Sequence, residues 1–250
     1  MMTPVLSARQ VADFERDGYL VVPALVKPPH LAALRSAHTA LIESWARTLD
    51  VSTEEYTRVV SQWTGLHLSH PAFAQQLRHP EVLAVARQLL GGSVQLFHDH
   101  LISKPAHASS TIPWHQDYPF WPVDRPQALS CWLALDDVAA DAGAMRFLPG
   151  AHLEGEQPPV DFLRAPKLWG AREASAVAVP VKAGDCIFHH CLSWHTSPPN
   201  ATTGERRAYI TILLSTACRF APEHSAWHPV NEFVSAAPGA PFNTDHFPIL

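Results

Sequence analysis

The sequence changes character at Gly91-Gly92, and that change limits the folds open to it. Before this point apolar residues recur every three or four positions, the spacing of a helix. After it they come in short runs broken by Pro, Gly, Asp and Asn, the pattern of strands and turns. Ser7 is placed to cap a first helix carrying Val11 and Phe14, and Gly18 to stop it. Residues 20–22 predict a short strand. Pro28-Pro29 precede a second helix with Leu31, Leu34, Ala37, Leu41 and Trp45 on its core-facing stripe. A third helix, from about residue 80 to 90, ends at the two glycines. Strands are predicted at 94–102, 128–135, 144–148, 176–181, 186–189 and 207–215. Helices first and closely spaced strands later point to a mainly β fold with flanking helices, a sandwich or barrel of the jelly-roll type. The chain reads as one domain over 1–250: a mostly helical 1–92, a β core at 93–216 and an irregular tail at 217–250.

Composition narrows the function. Apolar residues make up 47% and charged ones 16%, so the chain has material for a large core and is no solvated scaffold. The net charge of −5 comes with no basic stripe, so nucleic acid is not expected as a partner. No apolar run is long enough to span a membrane, and the first residues lack a secretory signal. The four cysteines form no CxxC pair and read as reduced, in a cytoplasmic protein.

The strongest local signal is Trp114-His115-Gln116-Asp117. On an extended segment His115 and Asp117 would project to one face, about 6.6 Å apart, and could share a metal ion. A third ligand must come from elsewhere: His195, read as sitting at a turn apex, fits best, with His189 and His190 as the other choices. Two histidines and one carboxylate on one face of a metal form the arrangement of non-haem Fe(II) oxygenases. The open positions suit a 2-oxo acid and O₂. Downstream, Arg206-Arg207 opens a strand, so the two point to opposite faces and one can enter the site. A guanidinium fork matches the far carboxylate of a 2-oxo diacid. The same ligands could instead serve a zinc hydrolase, or the barrel could be a non-catalytic binding module, but neither has use for the arginine.

With these residues in place, the sequence resembles the phytanoyl-CoA dioxygenase family of Fe(II)/2-oxoglutarate oxygenases, which includes ectoine hydroxylase. The likeness runs through LSARQVADFERDGYLVVPALV, HDHLISKPA, WHQD, CWLALDDVAADAGAMRFLPGAH and GDCIFHHCLSWHTSPPNATTGERRAYITILL, in order. It implies a double-stranded β-helix (jelly-roll, cupin-like) core with N-terminal helices outside. It implies His115, Asp117 and His195 as iron ligands, and Arg206, eleven residues after His195, as the 2-oxoglutarate partner, with Arg207 as fallback. The carboxylate at Asp117 favours hydroxylation over halogenation, since related halogenases carry a small residue there. Lys104, in a family-like Lys-Pro context, is a candidate contact for 2-oxoglutarate or an anionic substrate. Of Trp114, Tyr118, Phe120, Trp121, Trp132 and Trp194, two or three are expected to line a pocket. The expected reaction oxidises a C–H bond of a small-molecule metabolite and forms succinate and CO₂ from 2-oxoglutarate and O₂. No basic cluster awaits the phosphates of coenzyme A, so an acyl-CoA is not favoured.

Overall fold

The computed structural model describes residues 5–59, 61–108, 110–162 and 170–250. The chain opens with α1 (Ala8–Asp17) and β1 (Tyr19–Val22). Then come α2 (Pro28–Thr48), the short α3 (Thr53–Tyr56), β2 (Ser61–Thr64), and the helices α4 (Leu66–Ser69), α5 (Pro71–Leu77) and α6 (Pro80–Leu90). Eight strands follow: β3 (Val94–Lys104), β4 (Ile112–His115), β5 (Ala128–Ala134), β6 (Met145–Phe147), β7 (Val177–Val179), β8 (Cys186–His190), β9 (His195–Ser197) and β10 (Arg206–Ser215). The three helices and seven strands expected from the sequence are all present, while α3, α4, α5, β2, β4 and β9 are additional to them.

Local chemistry explains the clearest boundaries. The Ser7 hydroxyl accepts from the Gln10 N–H, and the Gln10 side chain accepts from the Ser7 N–H at 2.9 Å, closing a capping box at the start of α1. Gly18 ends the helix at φ +80°, where its N–H donates to Phe14 O. A side chain is barred there, because a Cβ would lie 2.5 Å from the His152 ring.

Two antiparallel sheets form the core. The larger has the order β1-β8-β5-β10-β3-β2 and the smaller β4-β9-β6-β7. Neighbours in these sheets are mostly distant in sequence, as in a jelly roll. Strands of the large sheet alternate sides along each run. Ala128, Trp132, Ile187, Ala208 and Ile210 face the small sheet, while Leu129, Leu133, Phe188, Tyr209 and Leu213 face the helices with Leu31, Leu34 and Phe73. Each wholly buried side chain such as Leu34 contributes roughly 1.5–3 kcal/mol of transfer free energy.

One irregularity matters for the interior. Along β3 and β10, Ile212 pairs with His98 and Leu213 with Leu96, so Phe97 is an extra residue on β3. This β-bulge turns Phe97 and His98 toward the same cavity. Among the described residues no helix is long and apolar enough to cross a membrane. The four cysteines are free and buried. The tail after β10 is largely irregular and covers one mouth of the interior through Trp227–Phe233 and His246.

Candidate metal centre

His115 ends β4 and His195 begins β9, and the two are direct cross-strand partners, with ring centroids 4.1 Å apart. His195 is therefore a strand residue and not the apex of a turn, as its setting in the sequence suggested. Asp117 also departs from expectation. It does not continue the strand of His115 but adopts helical backbone angles (φ −77°, ψ −43°) at the start of a short 3-10 turn. The cause is Cys191 O, which accepts from the N–H groups of both Asp117 and Tyr118 and bends the chain back. The bend shortens the reach that extended geometry would give: His115 Nε2 lies 3.5 Å from Asp117 Oδ1, and His195 Nε2 lies 3.7 Å from it. The ligand-type atoms of these three residues all fall within 4.8 Å of one another, close enough to hold one metal ion.

Hydrogen bonds aim each group. His115 Nδ1 donates to Pro113 O at 2.8 Å, and His195 Nδ1 donates to Ser193 O at 2.9 Å. Each ring thus keeps its proton on Nδ1 and turns a free Nε2 lone pair toward Asp117, the orientation that metal-binding histidines need. Ser130 Oγ donates to Asp117 Oδ2 at 3.0 Å, and His189 Nε2 stands 3.3 Å from the same oxygen. Oδ2 is thereby occupied, and Oδ1 is the oxygen left facing the imidazoles. Burial alone would push the Asp117 carboxyl up. The surrounding imidazoles, His195 first and then His115 and His189, outweigh it and hold the carboxyl well below the usual carboxylate range. Burial, then His115, pushes His195 well below the ordinary imidazole value. One anion and two lone-pair donors facing each other are a poor set of partners alone and a good one around a dication.

Arg206, the first residue of β10, enters the same cavity. Its Nη2 donates to Gly143 O at 2.7 Å and Ser197 Oγ at 2.8 Å, and its guanidinium lies 5.0 Å from the Trp132 ring centroid. Its Nε and Nη1 are buried without any partner. Burial lowers this arginine to about 10, so it stays charged at neutral pH. Gly143, which accepts from it, is closely packed on its other side: at φ +78°, a Cβ would sit 2.9 Å from Pro198 O. Arg207 points the other way and pairs with Asp136 through Nε and Nη2 at 2.9 and 2.8 Å.

Lys104 is not brought into this group. Its Nζ donates to Ser197 O, Pro198 O and Ser110 O at 2.8, 2.6 and 3.3 Å, which uses all three hydrogens. It does not line the cavity, so the expected contact with 2-oxoglutarate or an anionic substrate finds no free donor there. Burial, then Arg206, pushes its ammonium down to about 7. Of the six aromatic candidates, Phe120, Trp121 and Trp132 line the cavity. Trp114 and Trp194 pack with Leu148 and Ala151 instead, and Tyr118 donates to Val123 O. His190 lies on the opposite face from His189 and accepts from Leu192 N–H.

The sequence reading passed over Ser130, Ser197 and Gln116. Gln116 is buried and ties Leu192 O, Gly155 O and Gln157 N–H together behind the site. Ser197 was findable, since it lies two residues beyond His195 and so on the same strand face.

Comparison with known proteins agrees with this geometry. A family model described as phytanoyl-CoA dioxygenase matches residues 14–208. An ectoine dioxygenase of Bordetella bronchiseptica is 26% identical over 253 aligned positions, covering 92% of this chain and 82% of that protein. The 2-oxoglutarate-dependent carbocyclase SnoK of nogalamycin biosynthesis superposes with a TM-score of 0.82 at 23% identity, over 98% of this chain and 97% of its own. The epimerase SnoN, solved with Fe³⁺, 2-oxoglutarate and a nogalamycin compound, gives 0.76 at 25% identity, over 96% and 97%. The double-stranded β-helix anticipated from the sequence is thus the observed fold, and the chain belongs to the phytanoyl-CoA dioxygenase family of Fe(II)/2-oxoglutarate-dependent oxygenases.

Proposed function

We propose that this protein oxidises a C–H bond of a small-molecule metabolite, with His115, Asp117 and His195 as the ligands of Fe(II) and Arg206 as the clamp for 2-oxoglutarate. The observation that carries this reading is the empty half of the Arg206 guanidinium. A buried arginine with two unpartnered donors is costly unless something arrives to accept from them. A planar carboxylate meets that need bidentately. Ser197 Oγ, held by Gly143 O and by Arg206, stands ready beside it.

When bound, the iron with 2-oxoglutarate and O₂ supplies the oxidation: one oxygen atom enters the substrate C–H bond and the other the succinate, with CO₂ released. The chain's own residues prepare this. His115 and His195 present lone pairs because Pro113 O and Ser193 O hold their protons on Nδ1. Ser130 and His189 hold Asp117 so that one oxygen remains for the metal. Trp132 forms an apolar floor beneath Arg206 and excludes water from it. The lack of spare donors on Lys104 leaves Arg206 as the cation for the co-substrate. A cytoplasmic setting fits four free buried cysteines.

The test is Fe(II)-dependent conversion of 2-oxoglutarate to succinate by the purified protein, together with 2-oxoglutarate binding to the Ni(II)-loaded form. Failure of the loaded protein to bind 2-oxoglutarate overturns the proposal.

A further inference from the structure

The cavity that contains the triad and Arg206 measures about 910 Å³, near the top of the roughly 300–1,000 Å³ range that holds drug-sized ligands. Beyond the metal end its wall has a distinct chemistry. Phe120, Trp121, Ile210 and Ile212 give it apolar surface, and Trp227 and Phe233 stand at its opening, 67% and 50% exposed. Among the described lining residues the ionised side chains are Asp99, Asp117 and Arg206. Asp117 and Arg206 belong to the metal end. Asp99 is closed off by Tyr209 Oη and His67. Among the described lining residues no free charge therefore remains to meet a charged substrate group, and burying such a group without a counter-charge is strongly disfavoured.

The wall does offer neutral hydrogen-bonding groups. The β3 bulge turns Phe97 and His98 inward together, and His100 follows on the same face. The His98 ring lies 5.3 Å from that of His100 and 5.7 Å from that of His228, forming a row of three imidazoles. The Nδ1 atoms of His98 and His100 are buried and have no partner. His228 Nδ1 accepts from Val230 N–H, which leaves its proton on Nε2. Burial lowers His98 to about 3 and His100 and His228 to about 4, so all three are uncharged near neutral pH. A neutral imidazole can both donate and accept, which suits hydroxyl and carbonyl groups.

We infer that this wall selects an uncharged, ring-built substrate bearing hydroxyl or carbonyl groups, which stacks on Trp227 at the opening and hydrogen-bonds to His98, His100 and His228. The inference rests on the proposed oxygenase centre for its chemistry but not for its binding test. The described wall offers small zwitterions and acyl-CoA thioesters no counter-charge.

The experiment uses the full chain loaded with Ni(II) and 2-oxoglutarate in the absence of oxygen. Estradiol and daidzein serve as neutral polycyclic probes, L-proline as the small zwitterion and decanoyl-CoA as the anionic thioester. Binding is read by tryptophan fluorescence and by the shift in melting temperature. The neutral probes should quench saturably, while L-proline and decanoyl-CoA should do nothing at millimolar concentration. His98→Phe combined with His100→Phe should weaken the neutral probes by about tenfold, the scale of one or two lost hydrogen bonds. Trp227→Ala, at an exposed position that cannot unfold the core, should weaken them several-fold. Binding of L-proline or decanoyl-CoA, silence of both neutral probes, or equal affinity in the variants overturns the inference. Failure of the oxygenase reading would look different: 2-oxoglutarate would not bind, whatever the polycyclic probes do.

Discussion

The two faces of the large sheet carry the same chemical pair, a buried carboxylate and an arginine, and treat it in opposite ways. On the helix side Asp99 receives the Tyr209 hydroxyl at 2.6 Å, the His67 N–H at 2.9 Å and the His67 ring. Arg207 is matched twice by Asp136. On the cavity side Asp117 Oδ1 faces two lone-pair nitrogens, and Arg206 leaves Nε and Nη1 without partners. Polar groups that complete one another hold a fold together. Those left incomplete lower its stability and are kept for something that binds. Neighbouring positions on one strand, 206 and 207, fall on either side of that line.

The sharpest way to break this contrast is to remove the two acids separately. Asp117→Ala should abolish metal binding and succinate formation while leaving the melting temperature of the metal-free protein unchanged or raised. Asp99→Ala strands the Tyr209 hydroxyl and His67 and should cost about 3–5 kcal/mol in denaturant titration. If both variants unfolded equally, the two faces would not differ as described.

The arginines give the next largest effect. Arg206→Met should weaken 2-oxoglutarate binding by roughly 10–100-fold, equivalent to about 1.5–3 kcal/mol for charge-assisted bonds. Arg207→Met should leave that affinity within about twofold and lower stability by about 1 kcal/mol. Calorimetric titration of the Ni(II) protein reads both.

Acid sharpens the contrast further. His98 and His100 sit at about 3 and 4 in the folded state against an ordinary value of 6.5. The unfolded chain therefore binds more protons over that interval, and stability falls as pH drops from about 6.5 toward 4, by up to about 1.4 kcal/mol per pH unit for each group. Replacing both with Phe should flatten this slope in pH-dependent denaturation curves. An unchanged slope would move the acid sensitivity elsewhere. The smallest effect belongs to Lys104→Met. It frees three carbonyls and should cost about 1–2 kcal/mol of stability, with 2-oxoglutarate affinity unaltered.

The legible parts of the fold are those written by local rules. The Ser7 cap, the Gly18 stop and the end of α6 at Gly91 follow from side-chain and backbone chemistry within a few residues. β3, β5, β8 and β10 are long enough for their apolar content to show. β2, β4 and β9 are not: each has three or four residues, β4 contains Pro113, and β2 alternates half-buried and exposed polar positions. At the site, residue types and order pointed to His115, Asp117, His195 and Arg206, and the geometry assembles those four. What could not be read was how they meet. The bend at Asp117 depends on Cys191 O, more than seventy positions away, and the inward turn of Phe97 depends on register with β10. The surroundings of Lys104 were unreadable for the same reason, since its partners at 197 and 198 lie across the fold.

The extra residue at Phe97 has a consequence for how such an enzyme can diversify. Side chains on β3 alternate inward and outward, and the bulge absorbs one residue there, so deleting it would take the Phe97 ring out of the lining while His98 and His100 keep their pairing with Ile212 and Ile210. The lining opposite the reactive centre could thus be redrawn by a single deletion, while 115, 117 and 195, carried on other strands and turns, stay where they are.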